Sequence, residues 1–332
     1  MKIPKTVKMA AMVAFAAFMA AGCMPHMGWA RSTGYSHLYV FGDSYSDDGA
    51  AEAISGDAIR ARITGAVPLP AAPASMEYWH GRWSNGPTAV EYLARKLGVG
   101  LTNLAVGGAR CGSGNYFAWL DGWRDTGLRA QVLSFIATNR RVDPDALYVL
   151  GASANDFLQK MDYSTPVSLP DMAFACATDV ADATMLLIRH GARHFMVFGS
   201  YGLDTIPAVS ASAAAVAQAR QFETDFDQQL RTALLPAVQA GNATIGWFSW
   251  KAATDAIIHD AARYHIRDVT TPCQVTLPQP RKACARPDTH LWWDEIHPTG
   301  RAHGLVAAAM MKALRCGPHG CTPPDGPLAM PR

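Results

Sequence analysis

Apolar residues along this chain fall into short runs that end in small or polar residues. Between the runs lie longer stretches in which apolar positions recur every three or four residues. The runs are 38–41, 101–106, 146–150, 194–198 and 243–248. Short, largely apolar segments rich in Val, Ile, Leu and aromatics, bounded by turn formers, predict buried strands. Helical spacing marks 89–97, 126–139, 171–190 and 211–239, and Pro298 marks the start of a last helix running to about Leu314. Residues 50–75, rich in Ala, Gly and Pro, have no clear period and read as a loop or short helices. Strand and helix alternate, which predicts an α/β fold: a three-layer α/β/α sandwich with a mostly parallel sheet of about five strands.

In such folds ligands sit beyond the C-terminal ends of the strands. The first three strands end there in Gly42-Asp43-Ser44, Gly107-Gly108 and Asn155-Asp156. Ser44 follows the run Leu38-Tyr39-Val40-Phe41 and precedes Tyr45-Ser46-Asp47-Asp48-Gly49, the composition of a turn that opens a helix. A serine at that turn is exposed as a nucleophile, with the following N–H groups aimed at what it attacks, or it caps the helix. The far end of the chain separates these readings. Leu291-Trp292-Trp293-Asp294-Glu295-Ile296-His297-Pro298 lies on the loop before the last helix. A spacing of three lets the Asp294 carboxylate fold back on the His297 imidazole, fixing its tautomer and leaving the other nitrogen outward. A serine hydroxyl needs such a base.

Composition narrows the class. The chain has 332 residues, 49% hydrophobic and 17% charged, enough for one large core. A formal net charge of +2 is too balanced for nucleic acid as a main partner. Lys2, Lys5 and Lys8 precede an apolar run from Met9 to Ala21, too short to span a bilayer, which reads as an export signal. Ala20-Ala21-Gly22-Cys23 resembles a lipoprotein lipobox with Ala20 where a leucine-like residue is usual. Gly28-Trp29-Ala30 offers an ordinary cleavage site instead. Residues 1–30 are therefore expected to be a leader with a short linker and 31–332 a single domain, loose beyond about 321. The product is secreted, periplasmic or anchored by a lipidated Cys23. Without Cys23 an even set of cysteines remains, which in an exported chain favours disulfides. Proximity in sequence pairs Cys273 with Cys284 and Cys316 with Cys321, leaving Cys111 for Cys176.

Phe41-Gly42-Asp43-Ser44, Asn103-Leu104-Ala105-Val106-Gly107-Gly108-Ala109, Ala154-Asn155-Asp156 and Asp294-Glu295-Ile296-His297-Pro298 occur in that order. They resemble the four signature blocks of the GDSL or SGNH esterase/lipase family, whose sandwich is flavodoxin-like, and the resemblance spans roughly 38–314. The first block and Gly81-Arg82-Trp83-Ser84-Asn85-Gly86 resemble the branch of bacterial lysophospholipases, haemolysin-like lipases and plant esterases. The resemblance implies Ser44 as nucleophile, His297 as general base and acid, and Asp294 as its orienter. It implies an oxyanion hole from the N–H groups of Ser44 and Gly108 and the amide of Asn155, with no metal and no cofactor. It also implies an ester substrate, first a phospholipid or lysophospholipid acyl ester. A carbohydrate acetylesterase is the alternative among enzymes, acyl transfer to an alcohol a variant, and a non-catalytic envelope binding module the alternative of another class. A membrane surface, met through lipid substrate or lipidated Cys23, is the partner this allows. The family's glycine two residues before the block asparagine is Ser153 here, which is expected to narrow the site or shift Asn155.

Rival chemistry is weaker. Gly151-Ala152-Ser153-Ala154-Asn155 lacks the second glycine of a nucleophile elbow. His290, Asp294 and His297 lack the spacing of a helical zinc site. Asp47 and Asp48 read as helix caps and Asp43 as structural. Of Trp79, Trp83, Trp119, Trp123, Trp292 and Trp293, most are expected in the core, with Trp292 and Trp293 the candidates for a substrate pocket. His37, His80, His190, His194 and His265 have no recognisable partner spacing.

Overall fold

The computed structural model describes residues 34–70, 76–138, 142–276 and 279–315. The expected leader, Cys23, the Cys316/Cys321 pair and the tail lie outside the described residues.

Five strands form one sheet: β1 His37–Gly42, β2 Gly100–Asn103, β3 Leu147–Gly151, β4 His194–Phe198 and β5 Thr244–Phe248. Their order is β2-β1-β3-β4-β5, and every pairing is parallel. The predicted α/β sandwich is therefore the observed fold. All five residues of β3 are buried, whereas β2 and β5 at the edges are half-open. This gradient explains why the central strands read as continuous apolar runs. Each fully buried Leu, Val or Phe here contributes about 1.5–3 kcal/mol over its exposed state.

Parallel strands need crossovers, and helices supply them. They are α1 Ala50–Arg60, α2 Ala89–Leu97, α3 Leu128–Thr138, α4 Ala154–Tyr163, α5 Leu169–Arg189, the one-turn α6 Pro207–Ser210, α7 Ala213–Gln239, α8 Trp250–His259 and α9 Gly300–Arg315. α3, α5 and α7 pack in series, while α9 packs on α2 and α8. Amphipathic spacing located α2 to the residue and α5 and α7 within two. α2 opens on a reciprocal cap, with Glu91 reaching back to the Thr88 N–H at 2.8 Å.

One expectation is sharpened and one corrected. Within 50–75, left open as a loop or short helices, residues 50–60 are a regular helix. Its buried face is Ala51, Ile54, Ser55 and Ala58, helically spaced but too small and polar to register as an apolar stripe. The second strand ends at Asn103 rather than 106. Leu104 and Val106 still donate to Val40 and Gly42 of β1, but the Asn103 side chain accepts from Ala105 and ends the regular ladder.

The chain leaves β1 for β2 on one side and later returns to β3 on the other. β1 and β3 thus flank the topological switch point, where a crevice opens beyond the strand ends.

Candidate active site

β1 delivers Ser44 to this crevice. Gln131 fixes the end of the strand, accepting from the Gly42 N–H at 2.9 Å and donating to the Gly42 carbonyl at 2.8 Å. Gly42 lies opposite Gly151 of β3, and a Cβ on it would sit 2.7 Å from the Gly151 carbonyl oxygen. Only glycine allows this approach.

Residues 43–47 then form a separate turn, with the N–H groups of Ser46 and Asp47 both donating to the Asp43 carbonyl at 3.0 Å. α1 starts later, at Ala50, after Gly49 in the left-handed region at φ 117°. Ser44 is therefore not a helix cap. The N–H groups that follow it are also spent inside the turn, since that of Tyr45 donates to Asp43 Oδ1. The Ser44 N–H itself donates to no acceptor among the described residues.

Asp47 does the capping and more. Fully buried, it accepts from Gly49, Ala50 and Ala51 at the start of α1 and from Gly107 at 2.7 Å. Burial pushes its carboxyl up to about 6 against the pull of those four N–H groups. This one side chain ties the Ser44 turn to the Gly107-Gly108 loop. Asn103 adds a second tie, donating to the Ser46 carbonyl at 2.7 Å.

Gly108 has φ 82°, and its N–H also lacks an acceptor among the described residues. A Cβ there would meet Asn115 Oδ1 at 2.3 Å. Asn155, on the first turn of α4, donates one amide hydrogen to the Ala109 carbonyl at 3.0 Å. Hydrogen bonds thus knit the loops bearing Ser44, Gly108 and Asn155 into one rim.

The loop before α9 closes the site. Asp294 Oδ1 accepts from the N–H groups of Ile296 and His297 at 2.8 and 2.7 Å, folding residues 294–297 into a tight turn. His297 Nδ1 lies 2.9 and 2.8 Å from the two Asp294 oxygens, and His297 Nε2 lies 2.8 Å from Ser44 Oγ. Burial pushes the Asp294 carboxyl up, but the His297 charge, its hydrogen bond and the two N–H donors outweigh this and hold it below the usual carboxylate range. Ser44, Asp294 and His297 are each under 8% exposed. Residues 253 apart in sequence are joined as the residue chemistry anticipated.

Neighbouring segments brace this loop. Ser84 donates to the Pro298 carbonyl and Asn85 accepts from the Gly300 N–H, both at 2.8 Å. Cys273 and Cys284 are disulfide-bonded, and the N–H groups of Cys273 and Gln274 donate to the Trp292 and Trp293 carbonyls. The second bond, Cys111–Cys176, ties the residues after Gly108 to α5. Both pairings match those expected within the described residues.

Some expectations change. Trp292 and Trp293 are 1% and 2% exposed, and Trp292 Nε1 donates to the Val269 carbonyl, so they brace the loop instead of lining an open pocket. The aromatic surface beside His297 belongs to Trp83, whose ring centroid is 5.1 Å from the imidazole and which stacks on Phe117 at 6.0 Å. Trp83 sits over Gly107, where a Cβ would meet its Nε1 at 2.1 Å. Ser153 is buried and its hydroxyl has no partner among the described residues, so no base activates it. Asn155 keeps its bond to Ala109 beside it. His290 faces Cys284 and Asp268 rather than Asp294, which separates the drawn metal set. Tyr78, which no motif marked, donates to Asp294 Oδ2 at 2.8 Å.

With this geometry in view, the comparisons are specific. The sequence matches the family described as GDSL-like Lipase/Acylhydrolase over residues 38–310. It is 27% identical over 198 residues to a phosphatidylcholine-sterol acyltransferase of Aeromonas hydrophila, covering 59% of this chain and 53% of that protein. The chain thus spans about half the length of that relative. A GDSL esterase/lipase of Arabidopsis thaliana is 24% identical over 318 residues, covering 82% of this chain and 86% of the other. A solved carbohydrate acetylesterase from Sinorhizobium meliloti aligns with a TM-score of 0.44 at 11% identity, covering 85% of this chain and 99% of that one.

Proposed function

This chain belongs to the GDSL-like lipase/acylhydrolase family, and from that premise we propose that it hydrolyses carboxylic esters, its substrate a lipid acyl ester. The observation that carries the reading is the unbroken chain from Ser44 Oγ through His297 to Asp294, with links of 2.8 Å. Ser44 attacks the ester carbonyl as His297 Nε2 takes its proton. Asp294 stabilises the resulting imidazolium and holds the ring's tautomer. The oxyanion that forms is met by the unspent N–H groups of Ser44 and Gly108 and the second amide hydrogen of Asn155. Such donors act on charge that appears only in the transition state. His297 returns the proton to the leaving alcohol, and water activated by the same imidazole frees the acid from the acyl-enzyme.

The aromatic wall of Trp83 and Phe117 beside His297 suits an apolar acyl chain. The acyltransferase relative supports lipid as the substrate class and leaves an alcohol open as an alternative acceptor. The basic and apolar N-terminal residues, with the two disulfides, support export.

Hydrolysis of p-nitrophenyl esters of graded chain length tests the reading. Wild type is expected to turn over, favouring longer chains. Ser44→Ala is expected to lose about a million-fold in kcat, and Ser153→Ala to retain activity. Full activity in Ser44→Ala would reject the mechanism. Turnover confined to acetyl esters would move the substrate to acetylated glycans.

A further inference from the structure

Tyr78 lies between α1 and α2 on a segment without periodicity or motif, yet its hydroxyl donates to the carboxylate that holds His297. Asp294 is gripped at both oxygens: Oδ1 by the Ile296 and His297 N–H groups, Oδ2 by Tyr78, and both by His297 Nδ1. The tyrosine is fixed from several sides. Its ring meets Trp83 edge-on at 6.3 Å, and Trp83 packs on the His297 imidazole. The preceding Glu77 N–H donates to Gln274 Oε1, and Gln274 is held against Trp293 by its own N–H.

We propose that Tyr78 is a positioning residue for ester hydrolysis, its phenol sharing the Asp294 carboxylate with His297 and so setting how strongly that carboxylate pulls on the imidazole. The inference rests on the hydrolase reading above. A donor to a carboxylate stabilises its charge and drains it from other partners. With Tyr78 in place, the imidazole keeps Nε2 free to take the Ser44 proton. Without it, the charge at Oδ2 acts on His297 alone and grips the imidazolium more strongly, which weakens the base. Other titratable groups face the imidazole as well: Asp43 beyond β1, Tyr45 at 6.0 Å and His303 on α9, while Glu295 on the same loop acts on Tyr78 itself. All of them remain in Tyr78→Phe, which removes one oxygen and keeps the packing on Trp83.

The test is the pH profile of kcat/KM for p-nitrophenyl butyrate with the full chain, comparing wild type, Tyr78→Phe and Tyr78→Ala. Tyr78→Phe is expected to retain the wild-type KM, lose about tenfold in kcat and move the acid limb to higher pH. Tyr78→Ala, which also removes the ring beneath Trp83, should lose more. A Tyr78→Phe profile that superimposes on wild type would overturn the proposal. Proton NMR of the resonance between His297 Nδ1 and Asp294 gives a readout independent of turnover, taken below the melting transition of each variant. It is expected to move in Tyr78→Phe, and an unmoved resonance rejects the role of Tyr78 even if wild type hydrolyses no ester. Absence of wild-type turnover with a moved resonance would instead reject the hydrolase reading alone.

Discussion

Ser44 and His297 meet because each is fixed by the contacts of its own turn. Asp43 ties up the backbone of the Ser44 turn, and Asp294 folds its own loop by accepting from two N–H groups. The same carboxylate also holds the imidazole, so the turn and the electrostatics share one residue. Asp294→Asn should preserve the turn but reverse the ring's tautomer. We expect kcat to fall about ten-thousandfold with the melting temperature little changed, which steady-state kinetics and calorimetry check together. Ser44, Asp294 and His297 were legible because the chemistry demands those residue types within short contiguous blocks. Tyr78 and Trp83 were not, since their contacts with the site span more than 200 residues and leave no local spacing to read. Proximity in sequence misdirected attention to Trp292 and Trp293, whose burial comes from packing around the loop.

At the scale of elements, the loop before α9 is held by segments with little regular structure of their own. Cys273 and Cys284 are joined by a disulfide, and residues 273–276 lie against that loop through the Cys273 and Gln274 N–H groups. Thr276 extends the strap, donating from its N–H and hydroxyl to the Glu295 carboxylate at 2.6 and 2.7 Å. Cys273→Ser with Cys284→Ser should cost about 2–3 kcal/mol in urea unfolding, as expected for closing a short loop. kcat should fall alongside, whereas an unchanged kcat would show that the strap does not steady His297. The pairings of Cys273 with Cys284 and of Cys111 with Cys176 were readable from an even cysteine count and spacing. α1 stayed undecided between loop and short helix, because a helix face of Ala, Ser and one Ile carries almost no hydrophobic signal. Strands and long helices were readable because their burial is large and regular.

For the molecule as a whole, the sheet gathers several buried carboxyls near the strand ends. Burial pushes Asp43 and Glu223 up to about 7, and Asp47 and Asp156 up to about 6. Each binds its proton more tightly folded than unfolded, so its stabilising contribution is full below the unfolded value and fades as pH rises through the folded one. Asp294 works in the opposite sense, its contribution lost only as pH falls through its depressed value. The melting temperature is therefore expected to be higher near about pH 5 than near about pH 8. Glu223→Gln should flatten that slope. It lies on α7 and accepts from the Gly202 and Leu203 N–H groups. A slope of opposite sign in scanning calorimetry would contradict this.

The parallel pairing follows from element alternation, so the edge of the sheet where chemistry gathers could be expected from the sequence, whereas the strand order and the switch point come from the structure. What faces that edge depends on loops, whose blocks at 44 and 294–297 were readable and whose distant partners Tyr78 and Trp83 were not. The central claim is that His297 activates Ser44 and no other serine. The most direct measurement is labelling with a fluorophosphonate followed by peptide mass spectrometry of wild type, Ser44→Ala and His297→Ala. The account predicts one adduct, on Ser44, absent from Ser44→Ala and strongly slowed in His297→Ala. An adduct on Ser153, or labelling of Ser44 that proceeds unchanged without His297, would contradict it.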